Sequence, residues 1–103
     1  MRRAGGHLTL TALTLADGFA SVSGGIANNG GTLTLTNSTV SGNFAGSLGG
    51  IDNFSGGTAT LRNTILAGNH AVIGPDCNGT LTSDDYNLIQ DTTECAIIRL
   101  VAE

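Results

Sequence analysis

Two cysteines, two histidines and eight acidic residues are the side chains of this sequence whose chemistry could reach beyond folding. Cys77 and Cys95 are the only cysteines, with residues 78–94 between them. They could be a disulfide or two buried thiols. With His7 and His70 in distant segments they do not match the spacing of a zinc site. Asp84-Asp85 is the one adjacent acidic pair. Enzymes that cleave polysaccharides group carboxylates around a bond, or bind calcium beside it. Neighbours on a strand point to opposite faces, so Asp84 and Asp85 would not converge on one substrate. No other carboxylate or base is arranged around them, and no catalytic residue is assigned. Asp52, Asp76 and Asp91 read as loop carboxylates, the ligand type calcium wants. The GGxGxD repeats of calcium-binding β-rolls are absent, and neither a metal nor a cofactor is expected.

The elements that must position these residues come from a repeat. Gly30 to Asn43 reads GGTLTLTNSTVSGN and Gly56 to Asn69 reads GGTATLRNTILAGN. A looser copy, GGHLTLTALTLADG, runs from Gly5 to Gly18, and NGTLTSDDYNLI begins a fourth at Asn78. The step is 25 residues from Gly5 to Gly30, 26 from Gly30 to Gly56 and 22 from Thr58 to Thr80. Periods of this size mean stacked units, because one unit cannot bury an apolar face that its neighbours can cover. Alternation with period two in Thr32-Leu33-Thr34-Leu35-Thr36 describes a strand with its leucines on one face. Gly-Gly and Asn-Gly steps interrupt every window long enough for a helix. A second short strand sits between an Asn corner and a Gly-Asn corner, within Asn37 to Asn43 and within Asn63 to Asn69. A third follows Gly24-Gly25 and Gly49-Gly50. Three strands and three corners in about 25 residues make one turn of a parallel β-helix.

The alignment assigns columns. Leu8, Leu33, Ala59 and Leu81 form one inward column, and Leu10, Leu35 and Leu61 another. Ile26 lies under Ile51, and Val40 beside Ile65 or Leu66. Asn37 over Asn63 is a corner ladder, continued by Asp85. Outward, Thr32, Thr58 and Thr80 form one threonine column, and Thr9, Thr34, Thr60 and Thr82 a second. Arg62 and Asp84 meet in a ladder salt bridge worth under about 1 kcal/mol. Regular Thr-x-Thr arrays are one way to present methyls and hydroxyls to ice, although threonine is also simply a good exposed strand residue.

Composition narrows the function. Of 103 residues 16 are Gly, 4% are aromatic and none is Trp, which suits a thin core of aliphatic stacks rather than a conventional one. The formal net charge is −4, and the only cations besides histidine are Arg2, Arg3, Arg62 and Arg99. That excludes nucleic-acid binding through a basic patch. The longest apolar stretch is far too short for a membrane span. No apolar signal segment follows Met1-Arg2-Arg3.

Three stretches occur in order: GGIANNGGTLTLTNSTVSGN (Gly24 to Asn43), NTILAGN (Asn63 to Asn69) and GPDCNGTLTSDDYNLIQD (Gly74 to Asp91), followed by Cys95. On these, roughly residues 5–97 resemble the bacterial right-handed parallel β-helix repeat proteins of the pectin-lyase-like superfold. More narrowly, they look like the end of the helix in choice-of-anchor Q surface proteins. The resemblance implies an all-β, right-handed, single-stranded parallel β-helix of about four rungs (5–23, 24–48, 49–74, 75–97). The tail 98–103 departs from the pattern. Exported, cell-surface or extracellular parents are implied, and in such a setting an even cysteine count favours a Cys77–Cys95 disulfide. It would staple the last rung by about 3 kcal/mol on a loop-entropy estimate. With no export signal or anchor visible, the chain reads as a fragment or short product of a longer helix, whose open ends invite self-association.

The expected role is a non-enzymatic structural or interaction segment, adhesin-like or glycan-contacting. It would present Phe44 to Leu48 and His70 to Asp76 to a protein or glycan. The alternatives are a remnant of a lyase- or hydrolase-like carbohydrate-active enzyme, and an ice-binding threonine face.

Overall fold

The computed structural model of the chain describes residues 2–99, of which residues 2–4 are described by their backbone alone. Fourteen short strands follow one another among these residues, with no helix. The first pass holds β1 (Arg2–Ala4), β2 (His7–Thr11), β3 (Thr14–Ala16) and β4 (Phe19–Ala20). The second holds β5 (Ile26–Asn29), β6 (Thr32–Thr36), β7 (Thr39–Ser41) and β8 (Phe44–Ala45). The third holds β9 (Ile51–Phe54), β10 (Thr58–Arg62) and β11 (Ile65–Ala67). A shortened pass follows with β12 (Cys77–Ser83) and β13 (Leu88–Ile89), and the path closes on β14 (Cys95–Arg99).

Each strand pairs in parallel with its equivalent one pass away, which makes a β-solenoid of about three turns, close to the four rungs read from the repeat. One face is β1-β5-β9-β12, the next β2-β6-β10-β12-β14, and the third β3-β7-β11-β13. The first two merge at β12, because the corner between them is shortened there. Asp52 pairs with Asn78 and Thr60 with Thr82, so eight residue steps in the third pass shrink to four. That accounts for the repeat step of 22. Gly79 makes the shortcut: its φ is 92°, and a Cβ there would collide with the Asn53 carbonyl.

The core is a set of stacked aliphatic columns. Leu8, Leu33 and Ala59 align, as do Leu10, Leu35 and Leu61, and Leu81 is fully buried in the next pass. Leu15, Val40, Leu66 and Ile89 make the third column, which resolves the partner of Val40. Leu66 is buried and Ile65 faces out at 43% exposure, since alternation in a three-residue strand turns only its middle residue inward. Ile26, Ile51 and Cys77 form the fourth column, so the buried Cys77 stands where the earlier passes have isoleucine.

The Asn corner also forms. Ala12, Asn37, Asn63 and Asp85 all have left-handed φ, between 51° and 72°. Asn63 Nδ2 donates to Asn37 Oδ1 at 3.0 Å. Asp85 takes the corner after Asn63, and the Asn63 N–H donates to its carbonyl. The tail differs from the sequence reading: Ile98 and Arg99 belong to β14, which pairs along β12 from Gly79↔Cys95 to Ser83↔Arg99. An apolar Ile97 over Leu81 continues the inward column even though the repeat motif is no longer legible there.

Candidate functional site

The threonine face assembles in the expected register. Thr9, Thr34, Thr60 and Thr82 form one unbroken column across β2, β6, β10 and β12. Thr32 pairs with Thr58, with His7 before them and Thr80 after in the same alternation. The array ends at β14, where Ala96 and Ile98 succeed Thr80 and Thr82. At its margin Thr11, Thr36 and Arg62 align, and Arg62 Nε lies 3.6 Å from Asp84 Oδ2. Asp84 and Asp85 stand after the end of β12, so strand alternation does not govern them, and Asp85 occupies the left-handed corner.

Cys77 and Cys95 form a disulfide with Cα atoms 5.7 Å apart. It joins the start of β12 to the start of β14 and closes residues 78–94 into a loop.

Asp52 and Asp76 are not loop carboxylates open to a cation. Asp52 lies in β9, is 6% exposed, and accepts from Ser23 Oγ at 2.8 Å and Asn78 Nδ2 at 3.1 Å. Asp76 is 1% exposed and ends a buried ladder. Asn43 Oδ1 accepts from the Gly18 N–H, and Asn43 Nδ2 donates to Asn69 Oδ1 at 2.9 Å. Asn69 Nδ2 donates to Asp76 Oδ1 at 2.9 Å, and the Asn69 N–H donates to the same oxygen. Asp76 Oδ2 accepts from the Asp91 N–H at 2.9 Å. A second ladder joins Asn28 to Asn53 at 2.8 Å. Both asparagine pairs repeat in sequence at steps of 25 or 26, so their alignment was the available signal. The role of Asp76 had none, because it depends on how the loop before it folds.

A groove lies beside this ladder. In the first three passes nine residues join the third face to the first (17–25, 42–50, 68–76), whereas after β13 only five (90–94) lead directly to β14 on the second face. The long loops stack in parallel: Phe19 pairs with Phe44, Phe44 with His70, Ser23 with Leu48 and Leu48 with Gly74. The short loop cannot continue that stack. It leaves a groove of about 740 Å³ at residues 44–45, 68–72, 75–76 and 90–91. Both loops singled out from the sequence line it, whereas Gln90 and Asp91 were not foreseen there.

Its chemistry is mixed. The His70 ring stacks on Phe44 with centroids 4.6 Å apart and planes 19° from parallel. Val72 is 87% exposed at the rim. Gln90 Oε1 accepts from the Gly68 N–H at 2.7 Å, which holds the amide across the groove. Hydrogen bonds from the Thr93 side chain and N–H keep the Asp91 carboxyl below the usual carboxylate range. Among the described residues no group of three or more His, Cys, Asp or Glu could hold a metal ion, and no helix is long and apolar enough to cross a membrane. Comparisons with family models, curated proteins and solved structures return no match.

Proposed function

We propose that this chain is a structural and interaction segment of an exported bacterial β-helix protein of the choice-of-anchor type, and that it has no catalytic activity of its own. The observation that carries this reading is the groove at residues 44–45, 68–72, 75–76 and 90–91, set on a stack of parallel turns. A uniform stack supplies a rigid shaft, and the one interruption in its loop stack supplies a place for recognition. Three of the carboxylates open to a lyase or hydrolase remnant are engaged elsewhere. Asp84 faces Arg62, Asp52 holds Ser23 and Asn78, and Asp76 ends the asparagine ladder.

The test is to incubate the purified chain with a panel of plant and bacterial polysaccharides and to follow both retention and cleavage. Retention on a subset, with no new reducing ends and no unsaturated products, is the expected result. Turnover of any polysaccharide would replace this reading with the enzymatic one.

A second reading rests on the threonine columns, whose register presents a two-dimensional array to water. It assigns that face to ice. The Arg62–Asp84 pair and His7 confine the regular part to two columns.

A further inference from the structure

We propose that the groove left by the short fourth loop is a subsite for one uncharged sugar residue of a glycan, held by Phe44, His70, Gln90 and Asp91. This rests on reading the chain as an interaction segment and names the ligand class of that same groove.

Phe19, Phe44 and His70 are register equivalents in successive passes. The next pass cuts across with residues 90–94, so no equivalent ring follows His70. The ladder beneath is closed off at the same level, since Asp76 takes the position of the next amide and is saturated by Asn69 and Asp91. The groove therefore has a finished polar floor and an unfinished apolar wall. A ring-shaped ligand with an apolar face completes that wall.

The polar groups select among such ligands. Gln90 spends its carbonyl on Gly68, and its amide nitrogen makes no hydrogen bond among the described residues. Asp91 accepts from the Thr93 N–H at Oδ1 and from the Thr93 side chain, and its exposed carboxylate keeps further lone pairs for a ligand. The groove thus offers one donor and one anionic acceptor beside Phe44, His70, Val72 and Pro75. A vicinal diol needs both a donor and an acceptor, and the C–H face of a pyranose needs the apolar platform. A cationic peptide would use the acceptor and leave the amide donor unmet. An acidic sugar would face Asp91 with no arginine lining the groove. About 740 Å³ lies within the range of small-molecule sites.

The experiment is a titration of the isotope-labelled full chain, disulfide intact, followed through its amide and His70 ring resonances. The probes are maltotetraose, cellotetraose, chitotetraose and xylotetraose, with tetragalacturonate and tetra-arginine as charged comparators. The expected result is a saturable shift of His70, Gln90, Asp91 and Thr93 with at least one neutral probe. His70→Ala should weaken that binding about tenfold. Gln90→Leu is exposed enough to leave the fold unchanged, and it should weaken binding as well. Equal or tighter binding of tetragalacturonate, or binding untouched by both substitutions, overturns the proposal. If only tetra-arginine moves these resonances, the sugar assignment fails while the interaction-segment reading stands. If no probe moves them and the chain is still retained on a polysaccharide, the groove is not the site.

Discussion

The amide of Asn69 donates to the buried carboxylate of Asp76 at 2.9 Å, seven residues further along the chain, so a ladder of asparagines ends on a group that only accepts. This column passes its hydrogen bonds one way, from Asn43 Nδ2 to Asn69 Oδ1 and from Asn69 Nδ2 to Asp76 Oδ1. The last Nδ2 needs an acceptor, and the N–H of Asp91 arriving from the other side needs one too. A carboxylate meets both demands without a counter-cation.

Replacing Asp76 by Asn should therefore be costly despite the near-identical shape. Its amide has one oxygen for three N–H donors and turns an NH2 group toward one of them. We expect a loss of about 1–3 kcal/mol in urea denaturation, the cost of a buried donor left unpaired. A change within error would show that the ladder end is not a stabilising feature.

Leu61→Asp buries a charge in the Leu10–Leu35–Leu61 column and should abolish the β-sheet circular dichroism signal. Leu35→Asp should do the same. Ile65→Asp, one strand later but turned outward, should leave the spectrum and the melting midpoint nearly unchanged. A folded Leu61→Asp protein would refute the inward column.

The Cys77–Cys95 link ties β14 to β12. Reduction, or Cys95→Ser, should lower stability by about 3 kcal/mol on the loop-entropy estimate. Hydrogen exchange should show β14 amides losing protection first while β6 and β10 keep theirs, since the inner pairings remain.

Asp91 gives the fourth loop a pH dependence whose sign follows from its depressed pKa. The folded state favours the ionised carboxyl, so the contribution is fully present above the ordinary aspartate range. It is lost as pH falls through the lowered folded value. The Thr93 amide resonance should report this titration below the ordinary range, and Asp91→Asn should remove it. A midpoint at or above the ordinary value would contradict the hydrogen bonds from Thr93.

The ice reading expects measurable thermal hysteresis from the wild-type chain. It also expects its loss in Thr34→Tyr and Thr60→Tyr, which break the central column without touching the core. Freezing-point behaviour indistinguishable from an inert protein of equal size would retire that reading.

The repeat made the solenoid legible because stacking demands it. Leu33 and Leu35 can be buried only if residues 25 or 26 positions away lie over them, so equal spacing in the sequence becomes equal height in the stack. The threonine columns, the Asn37–Asn63 corner and the Arg62–Asp84 pair all followed from that single alignment, whereas the disulfide candidate came from the even cysteine count and the resemblance. What broke the repeat was decided by tertiary structure alone. Whether Ile65 or Leu66 turned inward depended on where the corner placed a three-residue strand. Ile98 and Arg99 joined the sheet because β12 offers an open edge, which needs no motif. Asp76 became a ladder end, and residues 90–94 opened a groove, because the fourth loop is too short to lie on the third. A missing loop leaves no residues to read, and its consequence appears only where neighbouring passes are left uncovered.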